Sequence, residues 1–310
     1  MKHNRRAFIK RTAAASTGAF FTSMSQTWAQ PLPNVPAAAG FELLFMATDW
    51  GFKGNRDALC AAAKKEGYDG IEVWWSDDAK AQDELFNALH KHGLKVGFLC
   101  GGWQSDYKEH LDVFVRHTEQ AAGNKKQAPL YINCHSGRDH FTVEQNSAFI
   151  NHTDKLSRQS GVPIYHETHR GRILFAAHIS RQYMKQFPSL RITLDISHWC
   201  NVHESLLADQ PDAVALALER TDHIHSRVGH AEGPQVGDPR APEWEPALNA
   251  HLGWWDTIIA SKKKKGERMT ILTEFGPVDY MPALPYTRQP VADQWAINVH
   301  MMQMLRKRYQ

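Results

Sequence analysis

Cysteine is scarce in this chain. The 310 residues hold four, Cys60, Cys100, Cys134 and Cys200, and no two of them form a C-x-x-C pair. A chain of this length buries enough apolar surface to need no covalent staple, and the spacing leaves open whether any pair is bridged. A dinucleotide-binding fingerprint is also missing: after the first apolar strand pattern comes "TDWGFKGN", a poor match to G-x-G-x-x-G. Beyond the first 29 residues no apolar run approaches the roughly 20 residues that span a bilayer. A soluble exported protein is therefore expected, with no membrane partner once the leader is removed.

The leader itself is legible. "NRRAFIK" (4–10) precedes the small-residue apolar run "RTAAASTGAFFTSM" and then "TWAQPLP". A basic start, an apolar middle and a small-residue cut site make an export signal. Arg5 and Arg6, followed by Phe8, Ile9 and Lys10, resemble the twin-arginine motif. Cleavage is expected after Ala29, with residues 30–40 as a linker, 41–310 as the catalytic domain and the periplasm as destination. The twin-arginine route, as the resemblance implies, carries folded proteins, in keeping with an ion acquired before export. Residues 1–29 hold five basic side chains (Lys2, Arg5, Arg6, Lys10, Arg11) and no acidic one. Their removal takes Lys+Arg from 36 to 31 against 33 Asp+Glu, and the net charge from +3 to −2. The mature chain has no global attraction for nucleic acid. Its one basic run, "SKKKKGER" (261–268), reads as a solvated helix end.

From residue 41 onward the pattern is regular. Apolar strand segments ("FELLFMAT", "GIEVWW", "LKVGFLC", "PLYINCHSG", "VPIYHETH", "RITLDISHW", "DHIHSRVG", "MTILTEFGP") alternate with helical ones, from "NRDALCAAAKKEG" to "VADQWAINVHMMQMLRKRY". Eight strand–helix units argue for parallel strands with crossover helices, closed as a single-domain (β/α)8 TIM barrel. An open doubly wound sheet would more often have fewer strands and a Gly-rich first turn. The longest loop, 230–247, follows strand seven and is expected over the active face. The Met-rich "HMMQMLRKRY" is the buried face of the closing helix.

Ionisable residues interrupt this pattern at the carboxyl ends of four successive strands: Glu167 on strand five, Asp195 with His198 on strand six, His225 on strand seven, and Glu274 on strand eight. A parallel barrel converges those ends on one mouth. Three carboxylates gathered there repel unless a cation neutralises them, and carboxylate oxygens with one imidazole suit Mn²⁺, Mg²⁺, Co²⁺ or Zn²⁺. Asp195 follows the outward-facing Leu194, and His225 follows Ile224, so both face inward. His198 lies past the strand, in the turn, as a substrate contact.

In this order, Glu167, Asp195 with His198, His225 and Glu274 resemble the motif of the xylose-isomerase-like sugar isomerases and epimerases. The resemblance implies one divalent metal, Mn²⁺ first, held by Glu167, Asp195, His225 and Glu274. Glu167 and Glu274 would be the acid/base pair, acting on a sugar through an enediolate. The chain departs from the epimerase pattern where Thr168 follows Glu167, and at Ile173 and Ala231, where those enzymes carry a second glutamate and an arginine. Arg227, His230 or Glu232 are the candidate replacements for that arginine. His135, at the end of strand four, is a further substrate-contact candidate. Trp50, Trp74, Trp75 and Trp103 follow or close strands one to three, either as packing under the loops or as an aromatic wall for a sugar ring, with Trp103 taken as a contact.

The leading expectation is a metal-dependent sugar isomerase or epimerase with a small-molecule sugar substrate. The same site would serve a lyase or dehydratase acting on a keto-sugar or 3-keto-glycoside, and export favours that variant because sugar phosphates are scarce outside the cytoplasm. An apurinic-site endonuclease is disfavoured: strand seven is followed by "DPR" (Asp238, Arg240), without the second ligand of a D-x-H. A non-catalytic sugar-binding protein would hold metal without turnover. No sequence feature sets the oligomeric state.

Overall fold

Each of the eight apolar segments becomes a strand in the computed structural model, which describes residues 35–310. The signal assigned to residues 1–29, and the start of the linker, lie outside the described residues. The strands are β1 (Glu42–Thr48), β2 (Gly70–Trp74), β3 (Lys95–Gly101), β4 (Ile132–His135), β5 (Ile164–Glu167), β6 (Ile192–Leu194), β7 (Thr221–His225) and β8 (Arg268–Thr273). All pair in parallel and in chain order, and β1 closes on β8 from Glu42↔Arg268 to Ala47↔Thr273. The TIM barrel is therefore complete.

Between the strands run α1 (Arg56–Glu66), α2 (Ala79–His92), α3 (Tyr107–Gly123), α4 (Val143–Ser160), α5 (Ala177–Gln186), α6 (Ile196–Val202), α7 (Pro211–Arg220), α8 (Glu245–Lys265) and α9 (Gln294–Tyr309). Their ends follow local chemistry. Asn55, Asp78 and Asp106 accept from backbone N–H groups of the first turns of α1 to α3, and Thr142 with Gln145 forms a capping box on α4. Gly67, Gly93, Gly161 and Gly266 end α1, α2, α4 and α8 in the left-handed conformation. No helix among the described residues is long and apolar enough to cross a membrane.

Strand parity separates two environments. Phe45, Ile71, Val96, Phe98, Ile132, Ile192, Leu194, Ile224 and Ile271 point outward into one apolar layer shared with the helices. The inward positions are polar in the upper barrel: Glu72, Asn133, Glu167, Thr193, His223, His225 and Thr270 are all buried. Met46, Tyr131 and Leu272 form the apolar plug among them, Leu272 level with His225 by strand register. Gly97 makes room for that plug, since a Cβ there would lie 2.4 Å from the Tyr131 ring. A register shift between Ile192 and Thr193 puts Asp222 out of line on β7, so that His223 pairs with Thr193 and His225 stays on the inward face.

Two expectations change, and one open question, cysteine pairing, is answered. Strand β6 stops at Leu194, and Asp195 accepts from Ser197 N–H as the N-cap of α6, so His198 lies in a short helix and not in a turn. The basic run is not wholly solvated: Lys262 is buried in ion pairs with Asp222 and Glu267. The four cysteines are buried and free of disulfides, including Cys100 and Cys134, which are register neighbours. Met301, Met302 and Leu305 are buried on α9.

Candidate metal centre and substrate cavity

Glu167, Asp195, His225 and Glu274 meet at the carboxyl end of the barrel. One donor atom from each lies within 4.8 Å of the others. Glu167 closes β5, Asp195 caps α6, His225 closes β7, and Glu274 directly follows β8. His225 Nδ1 lies 3.0 Å from Glu274 Oε2 and 3.7 Å from Glu167 Oε1. Asn133 Nδ2 donates to Glu167 Oε2 at 2.8 Å, and His135 Nε2 lies 3.0 Å from the same oxygen. Glu167 is thus satisfied on one oxygen, while its Oε1 has no hydrogen-bond partner, nor do His225 Nδ1 and Glu274 Oε2.

Arg227, two residues beyond His225, enters the same cluster. Its guanidinium contacts the Asp195 carboxylate, lies 3.2 Å from Glu274 Oε2 and 2.8 Å from His198 Nε2, and packs over Tyr280 and Trp50. Burial works against charge here, yet Glu274, Glu167 and Glu72 keep His225 protonated well above its ordinary range. Burial, with Glu274 and Glu167, pushes the Asp195 carboxyl up to about 7 against the pull of Arg227. Glu167 resists burial and is held well below the usual carboxylate range by His135 and His225.

Four buried carboxylates, Glu72 included, thus face the cations of His225 and Arg227. The negative excess, the unpartnered oxygens and the imidazole lone pair fit a divalent cation of oxygen-and-nitrogen preference, which would be held by Glu167, Asp195, His225 and Glu274. Because His225 holds its second ring proton at neutral pH, uptake must displace it. Binding at pH 7 is expected to release about one proton, and affinity to fall about tenfold per pH unit below the titration of His225. Calorimetry in buffers of different ionisation enthalpy measures that release.

Above the centre lies a cavity of about 380 Å³. Trp50, Trp74, Trp103 and Tyr280 form its aromatic wall, and Glu274, His135, His169 and Arg227 its polar floor. Gly276 lets Trp50 close over the floor, since a Cβ there would lie 2.3 Å from the indole. Trp103 is 66 % exposed at the rim, against Trp74 and beneath the Arg172 guanidinium. Trp75 lies outside the cavity, packed on Phe98 with its N–H donated to Gln120.

Of the expected substrate contacts, His135, Arg227 and Trp103 line this cavity. His198 does not; it is fully buried behind His169, with ring centroids 3.9 Å apart. His230 does not either, and pairs with Gly233 and packs on Trp244. No residue of 230–247 lines the cavity. That loop instead braces it, as Gln235 accepts from Gly276 N–H at 2.7 Å and donates to Gly276 O. The cover comes from the segment after β8, through Tyr280. Glu72, Asn133, His169 and Tyr280 join the site beyond the residues legible by motif. Glu72 carries a signal, a carboxylate between Ile71 and Val73; Tyr280 carries none.

No protein-family model matches the chain, and no curated protein matches it. Solved structures do. A probable 3-DHS dehydratase, AsbF, involved in petrobactin synthesis in Bacillus anthracis, superposes with a TM-score of 0.54 at 14% identity, over 86% of this chain and 99% of that one. A D-tagatose 3-epimerase-like protein superposes with a TM-score of 0.56 at 12% identity, over 86% and 96%. At such identities the likeness is one of fold, a closed (β/α)8 barrel.

Proposed function

We propose that the protein is a divalent-metal-dependent sugar isomerase or epimerase that removes a proton next to a carbonyl. The observation that carries this reading is the convergence of Glu167, Asp195, His225 and Glu274 beside an aromatic-walled cavity that Glu274 lines, with Glu167 Oε1, His225 Nδ1 and Glu274 Oε2 lacking hydrogen-bond partners. A bound cation would polarise the substrate carbonyl and stabilise the enediolate. Glu274, 8 % exposed on the cavity wall, is the carboxylate that reaches substrate first and takes the proton. Glu167 Oε1 is the second proton carrier, its other oxygen being fixed by Asn133 and His135. The indoles shield the reacting carbon from water and offer flat apolar faces to a sugar ring. Arg227 is the guanidinium on the cavity wall, and it is engaged by Asp195 and Glu274, which supports a neutral sugar over a phosphorylated one. Action on such a sugar in the periplasm, after export on the 1–29 signal with Mn²⁺ as the first candidate metal, belongs to the same proposal.

Elimination from a keto-sugar or 3-keto-glycoside is the second reading. One observation favours it: Glu274 opens to the cavity, whereas Glu167 is 1 % exposed beneath His135, and elimination needs one base where epimerisation needs two opposed proton carriers. The dehydratase and the epimerase-like protein among the structural neighbours match the two readings. Incubation of the metal-loaded protein with free and glycosylated keto-sugars in deuterium oxide tests both. Deuterium beside the carbonyl with a new stereoisomer supports the first reading. An unsaturated sugar with a released aglycone or water supports the second, and no exchange on any keto-sugar overturns both. Trp103→Ala is expected to raise KM by about tenfold, as loss of one aromatic contact, with kcat little changed; steady-state kinetics on the best substrate checks it.

A further inference from the structure

Directly beneath the metal-binding residues, a second polar layer fills the barrel where TIM barrels are commonly apolar. Glu72, at an inward position of β2, is buried there with His223 and His225 of β7. Its Oε2 lies 3.1 Å from His223 Nε2, and its Oε1 lies 3.4 Å from His225 Nε2. These are ion-pair approaches and not completed hydrogen bonds, since Glu72 Oε2 and His223 Nε2 have no hydrogen-bond partner; a carboxylate has only lone pairs, so it favours a proton on each ring nitrogen turned to it. On the far side of His223, Nδ1 lies 2.7 Å from the Thr270 hydroxyl, which can donate to it, and 3.1 Å from the Thr270 carbonyl, which can only accept. Asn133 Nδ2 also approaches His225 Nε2, at 3.2 Å, but its hydrogens have acceptors in Glu167 Oε2 at 2.8 Å and Glu72 Oε1 at 3.5 Å.

The same constraint acts on the upper face of His225. Its Nδ1 faces Glu274 and Glu167, and one proton or one cation must stand between them. For a cation to take that place, the remaining ring proton has to sit on Nε2, and Glu72 is the carboxylate positioned to hold it there. We propose that Glu72 is a positioning residue: by accepting Nε2–H from His225 and His223 together, it fixes the ring and keeps the Nδ1 lone pair of His225 turned to the cation. His223, wedged against Tyr131 with ring centroids 4.2 Å apart, holds Glu72 in place. The proposal rests on the metal-dependent reading given above. It also explains a carboxylate buried among the residues that line the cavity, with its oxygens turned to imidazoles.

Zinc binding to the full-length protein, followed by calorimetry, tests it together with ¹⁵N NMR of the imidazoles, the His225 signals being assigned by their loss in His225→Asn. Glu72→Leu, close in volume but without an acceptor, is expected to weaken zinc binding by about 10- to 100-fold. Glu72→Gln, with one acceptor oxygen, falls between it and the wild type. In the zinc-loaded wild type, Nε2 of His225 carries the proton. An Nε2 without its proton overturns the role of Glu72, whether or not Glu72→Leu folds. Zinc affinity in a folded Glu72→Leu within about threefold of wild type overturns it as well. So does a second zinc per chain that is lost in His223→Gln, because the lower cluster is then itself a cation site. Failure of the wild type to take up zinc overturns the metal-dependent reading instead.

Discussion

Glu167→Gln and Glu274→Gln each abolish solvent-deuterium exchange next to the substrate carbonyl, with an expected loss of about 10³-fold or more. A positioned general acid or base contributes roughly 10²- to 10⁴-fold, and each glutamate is also a candidate ligand. The two variants should fail differently. Glu274 faces the cavity and shares Oε2 between His225 and Arg227, so its loss removes the group nearest the substrate. Glutamine at 167 retains an oxygen to accept from Asn133 and His135, so the local structure stands while the negative charge is gone. Asp195→Asn is the control for ligation alone: it weakens metal uptake, and saturating metal restores exchange. Exchange within tenfold of wild type in Glu167→Gln, with metal content unchanged, would remove Glu167 from proton transfer. The same result in Glu274→Gln would remove the base itself.

Most of the barrel was legible because parity and chemistry agree along each strand. "RITLD" alternates outward Ile192 and Leu194 with inward Thr193 and Asp195, and the structure keeps that alternation up to the cap of α6. Asp195, His225 and Glu274 are charges where an apolar pattern should close, and closure of β5 to β8 in chain order brings them together. Glu72 has the same signature in "GIEVW", but a comparison confined to the last four strands passes over it. His198 was misread because "DISHW" carries both a strand end and a helix start, and the N-cap bond from Ser197 to Asp195 decides for the helix. Tyr280 and the bracing by Gln235 depend on how the segments after β7 and β8 fold over the mouth, a long-range outcome with no local periodicity. Arg227 was expected at the substrate; it lines the cavity, yet its donors turn to Asp195 and Glu274, whose positions only the closed barrel sets.

That placement of Arg227 predicts a large effect on stability. Arg227→Met keeps much of the side-chain volume beneath Tyr280 and Trp50, but leaves Asp195 and Glu274 buried without their guanidinium. Removing one partner of a buried ion pair costs about 3–5 kcal/mol, because the remaining charge stays desolvated. Here two carboxylates lose it, and the bond from Arg227 Nη1 to Glu274 O goes as well. The metal-free variant is therefore expected to be destabilised by about 3–5 kcal/mol, read from urea unfolding. The same carboxylates are the proposed ligands, so a divalent cation can take over the neutralising role. At a metal concentration about 100-fold above Kd, stabilisation by binding alone is about 2.7 kcal/mol. The variant should gain more than the wild type from added Mn²⁺, because it carries one more unneutralised charge into the metal-free state. Equal metal-induced shifts in the two proteins would mean that Arg227 and the cation do not act on the same carboxylates. A variant as stable as wild type without metal would mean that Arg227 does not neutralise Asp195 and Glu274, and that the negative excess invoked for cation binding is not present.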